Sequence, residues 1–349
     1  MKILITGGAG FIGSALIRYL INHTEHEILN YDALKYSGNL KSLDSIKASN
    51  RYSFVKGDIC DPHLLNSTLH NFQPNGVIHL AAESHVDRSI DNAAPFIQTN
   101  IVGTYTLLNC CHNYWKSSDQ EIMDGFTFHH VSTDEVYGDI NETEPPCNEL
   151  KSYDPSSPYS ASKASSDHLV KSWHRTFNFP VVITNCSNNY GPFHFPEKFI
   201  PHIILNAIHG KNIPIYGDGQ QIRDWIFVDD HVRGLYLAFL HGKHGETYNI
   251  GASNEIHNIE IANKVCELLD ELLQDKSPGI AAFKDLITFV QDRPGHDKRY
   301  AIDSSKIQSE LGWQVEESFE SGFRKTVQWY LDNEQWWREI LDQDYSLER

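Results

Sequence analysis

Seven residues near the N-terminus, Gly7-Gly8-Ala9-Gly10-Phe11-Ile12-Gly13, constrain this chain more than any other stretch. They follow a β-branched run, Lys2–Thr6, and open a stretch of helical period, Phe11–Asn22. Two glycine registers overlap: Gly7, Gly10 and Gly13, and the GxGxxG form Gly8, Gly10 and Gly13. Without side chains the backbone turns tightly and approaches a pyrophosphate, whose charge meets the N–H groups at a helix start. Asp32 closes the next apolar run, 19 residues beyond Gly13, where a carboxylate binds ribose hydroxyls. Strand, glycine turn, helix and acid together predict a dinucleotide site. A carboxylate there repels a 2′-phosphate, so NAD is expected over NADP, a preference that Lys35 tempers. Further along, Asp58-Ile59 and Leu80-Ala81-Ala82 end strands at the same edge, with room for adenine and the bridging phosphates.

The first half alternates short β-branched runs with longer stretches of helical period, the pattern of βαβ units and a parallel sheet. The expected strands are Lys2–Thr6, Glu27–Tyr31, Tyr52–Val55, Gly76–Leu80, Phe126–Ser132 and Val181–Asn185. The expected helices are Phe11–Asn22, Pro62–Asn71, Pro95–Tyr114 and Tyr159–Phe177, the last announced by Pro155-Ser156-Ser157-Pro158. This pattern predicts an α/β fold, a doubly wound Rossmann-type parallel sheet with a smaller mixed α/β C-terminal lobe. Residues 1–190 are expected to form the NAD-binding domain and to carry the catalytic residues. Residues 191–335 are expected to form mainly the substrate lobe, with some segments returning to the sheet. Phe319–Tyr330 reads as an amphipathic helix, and the tail beyond it, with Trp336 and Trp337, as a frayed end.

Of the 349 residues 40% are hydrophobic and 21% charged, enough for a large buried core. Twenty-nine Lys and Arg against 46 Asp and Glu leave a formal charge of −17, which repels a nucleic-acid backbone or an anionic bilayer. No nucleic-acid or membrane partner is expected, and any anionic ligand must be held by a few local donors. Six cysteines, Cys60, Cys110, Cys111, Cys147, Cys186 and Cys266, form no CxxC pair and read as free thiols of a reducing, cytoplasmic compartment. The histidines lack ligand spacing, so no metal is expected.

Tyr159-Ser160-Ala161-Ser162-Lys163 opens a helix, which puts Tyr159 and Lys163 on one face about one turn apart. An ammonium beside a phenol lowers the phenol's pKa, so that tyrosinate takes a hydroxyl proton while NAD accepts the carbinol hydride. Ser132 and Thr133, ending the fifth strand, offer the accompanying hydroxyl. Asp134 and Glu135 follow directly. An acid and a base beside a hydride acceptor point past alcohol oxidation to dehydration. Once a sugar carbinol is a ketone its neighbouring C–H is acidified; one carboxylate then removes that proton and the other protonates a leaving hydroxyl. The plainer alternative is a turn whose carboxylates cap nearby backbone.

From Lys2 to about Tyr330 the chain resembles the extended short-chain dehydrogenase/reductases, and within them the dTDP-glucose 4,6-dehydratase family. The carriers are TGGAGFIGS at Thr6–Ser14, HLAAESHVDRS at His79–Ser89, STDEVYG at Ser132–Gly138, YSASKASSDHLV at Tyr159–Val170, NCSNNYGP at Asn185–Pro192, FPEKFIP at Phe195–Pro201, RDWIFVDDH at Arg223–His231 and DRPGHDKRYAID at Asp292–Asp303. The resemblance implies that Tyr159, helped by Thr133 and Lys163, oxidises C4 of the glucose. Glu135 would take the C5 proton and Asp134 would protonate the departing C6 hydroxyl. Hydride would return to C6, giving a 4-keto-6-deoxy sugar nucleotide and leaving NAD tightly held.

The same resemblance adds Phe11, Ile12, Leu34, Ser84, Thr99, Ser132, Cys186 and Asn188 to the NAD set of Gly7, Gly10, Gly13, Asp32, Lys35, Asp58, Ile59, Leu80, Ala81, Ala82, Tyr159 and Lys163. For dTDP-glucose it implies Ser84 and Thr133 near the sugar, Asn188, Arg223 and Asn258 around the diphosphate, and Glu197, Lys198 and Pro214-Ile215-Tyr216 near thymidine. Arg293, His296 and Tyr300 would line the nucleotide end. The plainer alternative for Arg223 is an ion pair with Asp224. A homodimer is implied, paired through the helices beginning near Pro95 and Tyr159. Two stretches depart from the family's pattern. Where members usually carry Asp-Lys-Leu-Thr-Tyr-Ala-Gly-Asn, this chain has Asp32-Ala33-Leu34-Lys35-Tyr36-Ser37-Gly38-Asn39, so a ribose contact is lost at Ala33 or remade by Lys35. The loop after Tyr137-Gly138 is short.

Two other readings compete. A nucleotide-sugar 4-epimerase shares NAD, Tyr159 and Lys163 but needs no carboxylates beside the hydroxyl residue. A non-catalytic NAD-binding regulatory protein would leave Thr133, Asp134, Glu135, Tyr159 and Lys163 without use.

Overall fold

The computed structural model describes residues 1–273 and 280–342. Successive side chains of a strand point to opposite faces, and β1 (Lys2–Thr6) divides accordingly. Ile3 and Ile5 join a core cluster with Leu16, Leu20 and Leu235, whereas Leu4 joins one with Leu65, Leu107 and Phe128. Both faces are therefore covered by helices, the condition for an all-parallel sheet.

The remaining expected strands are β2 (Glu27–Asp32), β3 (Tyr52–Lys56), β4 (Gly76–His79), β5 (Thr127–Thr133) and β6 (Val181–Cys186). After them come β7 (Asn188–Tyr190), β8 (Ile213–Tyr216), β9 (Ile222–Phe227), β10 (Thr247–Ile250), β11 (Glu255–His257), β12 (Ile287–Val290) and β13 (Arg299–Tyr300). The main sheet runs β10-β6-β5-β4-β1-β2-β3, parallel throughout, and its order reverses between β1 and β4. Its seventh strand, β10, comes from the second half of the chain. Helix Val228–His241 packs on helix Phe11–His23 and delivers β10, buried along its whole length, to the edge of β6.

Helix starts follow their chemistry. Asp61 accepts from the N–H groups of His63 and Leu64 to begin Pro62–Phe72, and Ser157 forms a reciprocal cap with Ser160 ahead of Pro158–Phe177. The single helix expected over Pro95–Tyr114 is instead three pieces, with a π-helical stretch, Ile97–Gly103, before Thr104–Ser117. The extra residue per turn lets Asn100 reach both ways. Its Oδ1 accepts from the Glu83 N–H at 2.8 Å, and its Nδ2 donates to Ser162 Oγ at 2.8 Å.

The second lobe holds the sheet β11-β9-β13, with β7 also on β9, and the parallel pair β8-β12. Helices Phe199–Ile208, Asn258–Leu272 and Phe319–Asp332 surround its core. The tail expected to fray does not, as far as it is described. Glu334–Leu341 is a helix whose Trp336, Trp337 and Ile340 face that core, and Trp337 Nε1 donates to the Tyr330 carbonyl at 2.9 Å. Its acidic residues turn outward, Glu334 to Arg338 and Glu339 to Lys41. The rest of that tail, from residue 343, lies outside the described residues.

Candidate active site

The C-terminal ends of the central strands open into one cleft of about 680 Å³ that runs on between the sheet and the second lobe. In an open α/β sheet, ligands bind in the crevice outside the carboxyl ends of the strands, where strand order reverses. Of the residues expected to hold cofactor or substrate, all but Leu34 line it.

At the end of β1, Gly7 has φ +74°, and a Cβ there would stand 2.6 Å from the Ala81 nitrogen. A Cβ on Gly13 would stand 2.2 Å from the Gly7 carbonyl oxygen. Gly8 is outside the cleft and packs toward Asn30, so Gly7, Gly10 and Gly13 form the register that faces a ligand. Helix Phe11–His23 starts without a side-chain cap, and its first N–H groups face the cleft as anion donors. Asp32 closes the site: Oδ2 accepts from the Ala9 N–H at 2.9 Å and Oδ1 from the Leu34 N–H at 2.7 Å. Burial raises its pKa, while those two N–H groups and Lys35 oppose the rise. A cradle that a Cβ would fill, an uncapped helix start and a carboxylate gripped by the turn fit a dinucleotide.

Leu34 sits in the left-handed region at φ +52°, in the turn that binds its N–H to Asp32. Lys35 does line the cleft and reaches across it. Its Nζ donates to Thr99 Oγ1 at 2.9 Å and lies 3.6 Å from Asp58 Oδ2 and 3.5 Å from Glu83 Oε1.

The catalytic candidates converge at the ends of β5 and β6. Thr133 starts a tight turn, accepting from the Glu135 N–H at 3.3 Å and donating to Asp134 Oδ1 at 3.2 Å. Asp134 is 3% exposed, and its Oδ2 has no hydrogen-bond partner among the described residues. A turn whose carboxylates merely cap backbone would not leave that oxygen unmet. Strand alternation separates the two candidate hydroxyls: Thr133 joins Asp134, whereas Ser132 Oγ donates to Asp167 Oδ2 at 2.9 Å, behind the site.

Burial pushes the Asp134 carboxyl well above its ordinary range, helped by Glu135 and Asp224 and opposed by Arg223 and Thr133. Burial also raises Glu135, but the cations Arg293, Arg223 and Lys198 pull against it. Two adjoining carboxyls in unlike surroundings divide into an acid and a base. Burial first, then Glu135 and Cys186, push the Tyr159 phenol well above its ordinary value, and hydrogen bonding to Thr133 opposes them. Lys163 is itself buried, and its Nζ donates to the Val131 carbonyl at 2.9 Å.

At the far end Arg223 is 5% exposed and is not an ion pair with Asp224. Its guanidinium donates to the carbonyls of Ile222 at 2.7 Å and Asp297 at 2.9 Å and lies 4.3 Å over the Tyr300 ring. Lys198 Nζ donates to the Ser84 carbonyl at 2.8 Å, and His296 Nδ1 lies 2.6 Å from Asp292 Oδ1. Asn188 Oδ1 and Arg293 Nε are buried without a hydrogen-bond partner among the described residues. Pro214, Tyr216 and Asn258 line the same end.

Two residues at this end were not singled out from the sequence: Asp87, which lines the cleft, and Arg88 beside it. Asp87 accepts from Arg293 at 3.0 Å and from Tyr216 Oη at 3.2 Å; Arg88 lies 4.0 Å over the Tyr36 ring and donates to the buried Glu197 at 3.0 Å. Both lie in the His79–Ser89 stretch, of which only Leu80, Ala81, Ala82 and Ser84 were singled out.

In comparison with known proteins, residues 4–326 match the family model described as GDP-mannose 4,6 dehydratase. The chain is 58% identical over 348 residues to a dTDP-glucose 4,6-dehydratase of Neisseria meningitidis serogroup B, covering 100% of this chain and 98% of that protein. It is 55% identical over 357 residues to a dTDP-glucose 4,6-dehydratase of Escherichia coli, covering 100% and 99%. Among solved structures it is similar to the dTDP-glucose 4,6-dehydratase of Streptomyces venezuelae with NAD and dTDP bound, at TM-score 0.88 and 41% identity over 97% of this chain and 100% of that one.

Proposed function

The chain belongs to the GDP-mannose 4,6-dehydratase family, and from that premise we infer that it is an NAD-dependent hydro-lyase converting dTDP-glucose to dTDP-4-keto-6-deoxy-glucose. NAD, when bound, accepts a hydride at the start of the cycle and gives it back at the end. Tyr159 takes the C4 hydroxyl proton, with Thr133 hydrogen-bonded to the sugar oxygen and Lys163 holding the ribose side of the site. Glu135 then removes the C5 proton that the C4 ketone has acidified. Asp134, kept protonated by burial, gives its proton to the C6 hydroxyl, which leaves as water. After hydride arrives at C6, Glu135 returns its proton to C5, and Tyr159 and Asp134 are reset through solvent. The observation that carries this reading is the buried Asp134 carboxyl, raised by its surroundings, beside Glu135 and the Tyr159 phenol in a single cleft.

Incubation of the purified protein with dTDP-glucose, without added cofactor, tests it. A 4-keto-6-deoxy product is expected; a galactose epimer or unchanged sugar would refute the reading. UDP-glucose beside it measures base preference.

A second copy of the chain covers the apolar face formed by Ile97, Val102 and Tyr105, which are 51%, 39% and 48% exposed. The Tyr105 ring meets Trp173 of helix Pro158–Phe177 at 6.0 Å, which supports pairing through both helices. Sedimentation is expected to give a dimer, and Tyr105→Arg a monomer. The six cysteines are all free thiols, which supports a cytoplasmic setting, and no helix among the described residues is long and apolar enough to cross a membrane.

A further inference from the structure

Behind the catalytic pair lies a carboxylate that the chemistry above leaves without a role. Asp167 stands one turn after Lys163 on helix Pro158–Phe177 and is 0% exposed. Its Oδ2 accepts from Ser132 Oγ and from Tyr153 Oη, each at 2.9 Å, and its Oδ1 lies 3.1 Å from His130 Nε2. Residues at i and i+4 share a helix face, and the two side chains reach successive residues of β5, Lys163 the Val131 carbonyl and Asp167 the Ser132 hydroxyl. An ammonium has three donors, and a buried charge without a counter-charge is strongly unfavourable.

We propose that Asp167 is a positioning residue for the oxidation: its carboxylate is the counter-charge that keeps Lys163 an ammonium beside Tyr159, aimed by the hydroxyls of Ser132 and Tyr153. Glu135 also acts on Tyr159, from the cleft side; among the described residues, the other groups packed about Lys163 supply no negative charge. On β5, His130 is held neutral, its pKa lowered by burial to about 4, and on β4 burial holds His79 well below its ordinary value. On β6 the Cys186 thiol is pushed up to about 12 by burial, and the phenols of Tyr137, Tyr153 and Tyr159 are raised by burial as well. His168 lies against Tyr153, its ring 5.5 Å away, and Lys171 is a second cation, 5.1 Å over that ring. Burial lowers Lys163, and the first group to oppose the fall is Asp167.

The inference rests on the reading of Tyr159 and Lys163 as the oxidising pair. Its test is the pH profile of kcat for the NAD-loaded enzyme. A neighbouring anion raises a lysine pKa, so its removal moves deprotonation to lower pH. In Asp167→Asn the alkaline decline of kcat is expected about one pH unit or more below that of the parent. Tyr153→Phe, which takes away one of the two hydroxyls that aim the carboxylate, moves the decline the same way by a smaller step. An Asp167→Asn enzyme that loses the same fraction of kcat at every pH overturns the proposal. If that variant does not fold, an unmoved decline in Tyr153→Phe overturns it instead. Single-turnover NADH formation in Tyr159→Phe would show that the catalytic reading had failed. Absent NADH in Tyr159→Phe with an unmoved decline would refute the role of Asp167 alone.

Discussion

Thr133 donates its hydroxyl proton to Asp134 Oδ1 at 3.2 Å, while the other oxygen of that buried carboxyl meets no hydrogen-bond partner among the described residues. The carboxyl is therefore held at one oxygen and available at the other.

Asp134→Asn keeps the shape and removes the acid. Turnover is expected to fall by about 10²- to 10⁴-fold, with C4 oxidation intact, so that reduced nicotinamide accumulates in a single turnover. Glu135→Gln is expected to stall at the same stage. Full turnover in either variant would reverse the roles given to these carboxyls.

The same carboxyl makes stability depend on pH. Its folded pKa lies well above the unfolded value, so between the two the folded chain keeps a proton that the unfolded chain releases. The stability it contributes is present below the unfolded carboxylate range and is lost as pH rises through the folded value. Asp134→Asn removes that loss. Its Tm should match the parent's in acid and exceed it near neutrality by about 1–2 °C for each kcal/mol recovered. A Tm difference that does not change with pH would contradict this.

Gly7→Ala meets both a positive φ and the Ala81 backbone. About 1–3 kcal/mol of strain is expected, together with loss of most of the NAD that the protein carries through purification, measured by its release on denaturation. Wild-type cofactor content would show that the turn does not need glycine.

Trp337→Ala empties a site that is 2% exposed. Unfolding in denaturant should show a loss of about 3–5 kcal/mol, whereas a frayed tail would show none.

Much of the cofactor site was legible because its signals are local. A glycine turn between a strand and a helix, an acid closing the next strand, and Tyr159 four residues before Lys163 need only the period of a single element to be placed. The left-handed turn at Leu34 was not legible, because residue spacing does not set a positive φ. The choice between Ser132 and Thr133 needed the exact end of β5, since one residue of shift exchanges the two faces of a strand. Trp336 and Trp337 looked like a loose end because the core that receives them is built from segments far away in the chain.

What the sequence by itself determined is the chemistry in order: the glycine turn, Asp32, the adjacent Asp134-Glu135 and the Tyr159–Lys163 pair. Each depends on residue type and on short spacing. Only the tertiary structure decided that β10 completes the sheet, that burial raises the Asp134 carboxyl, and that Asp167 lies among Ser132, Tyr153 and His130. Burial and long-range contact set the electrostatics of a side chain, and neither is a property of its neighbours in sequence.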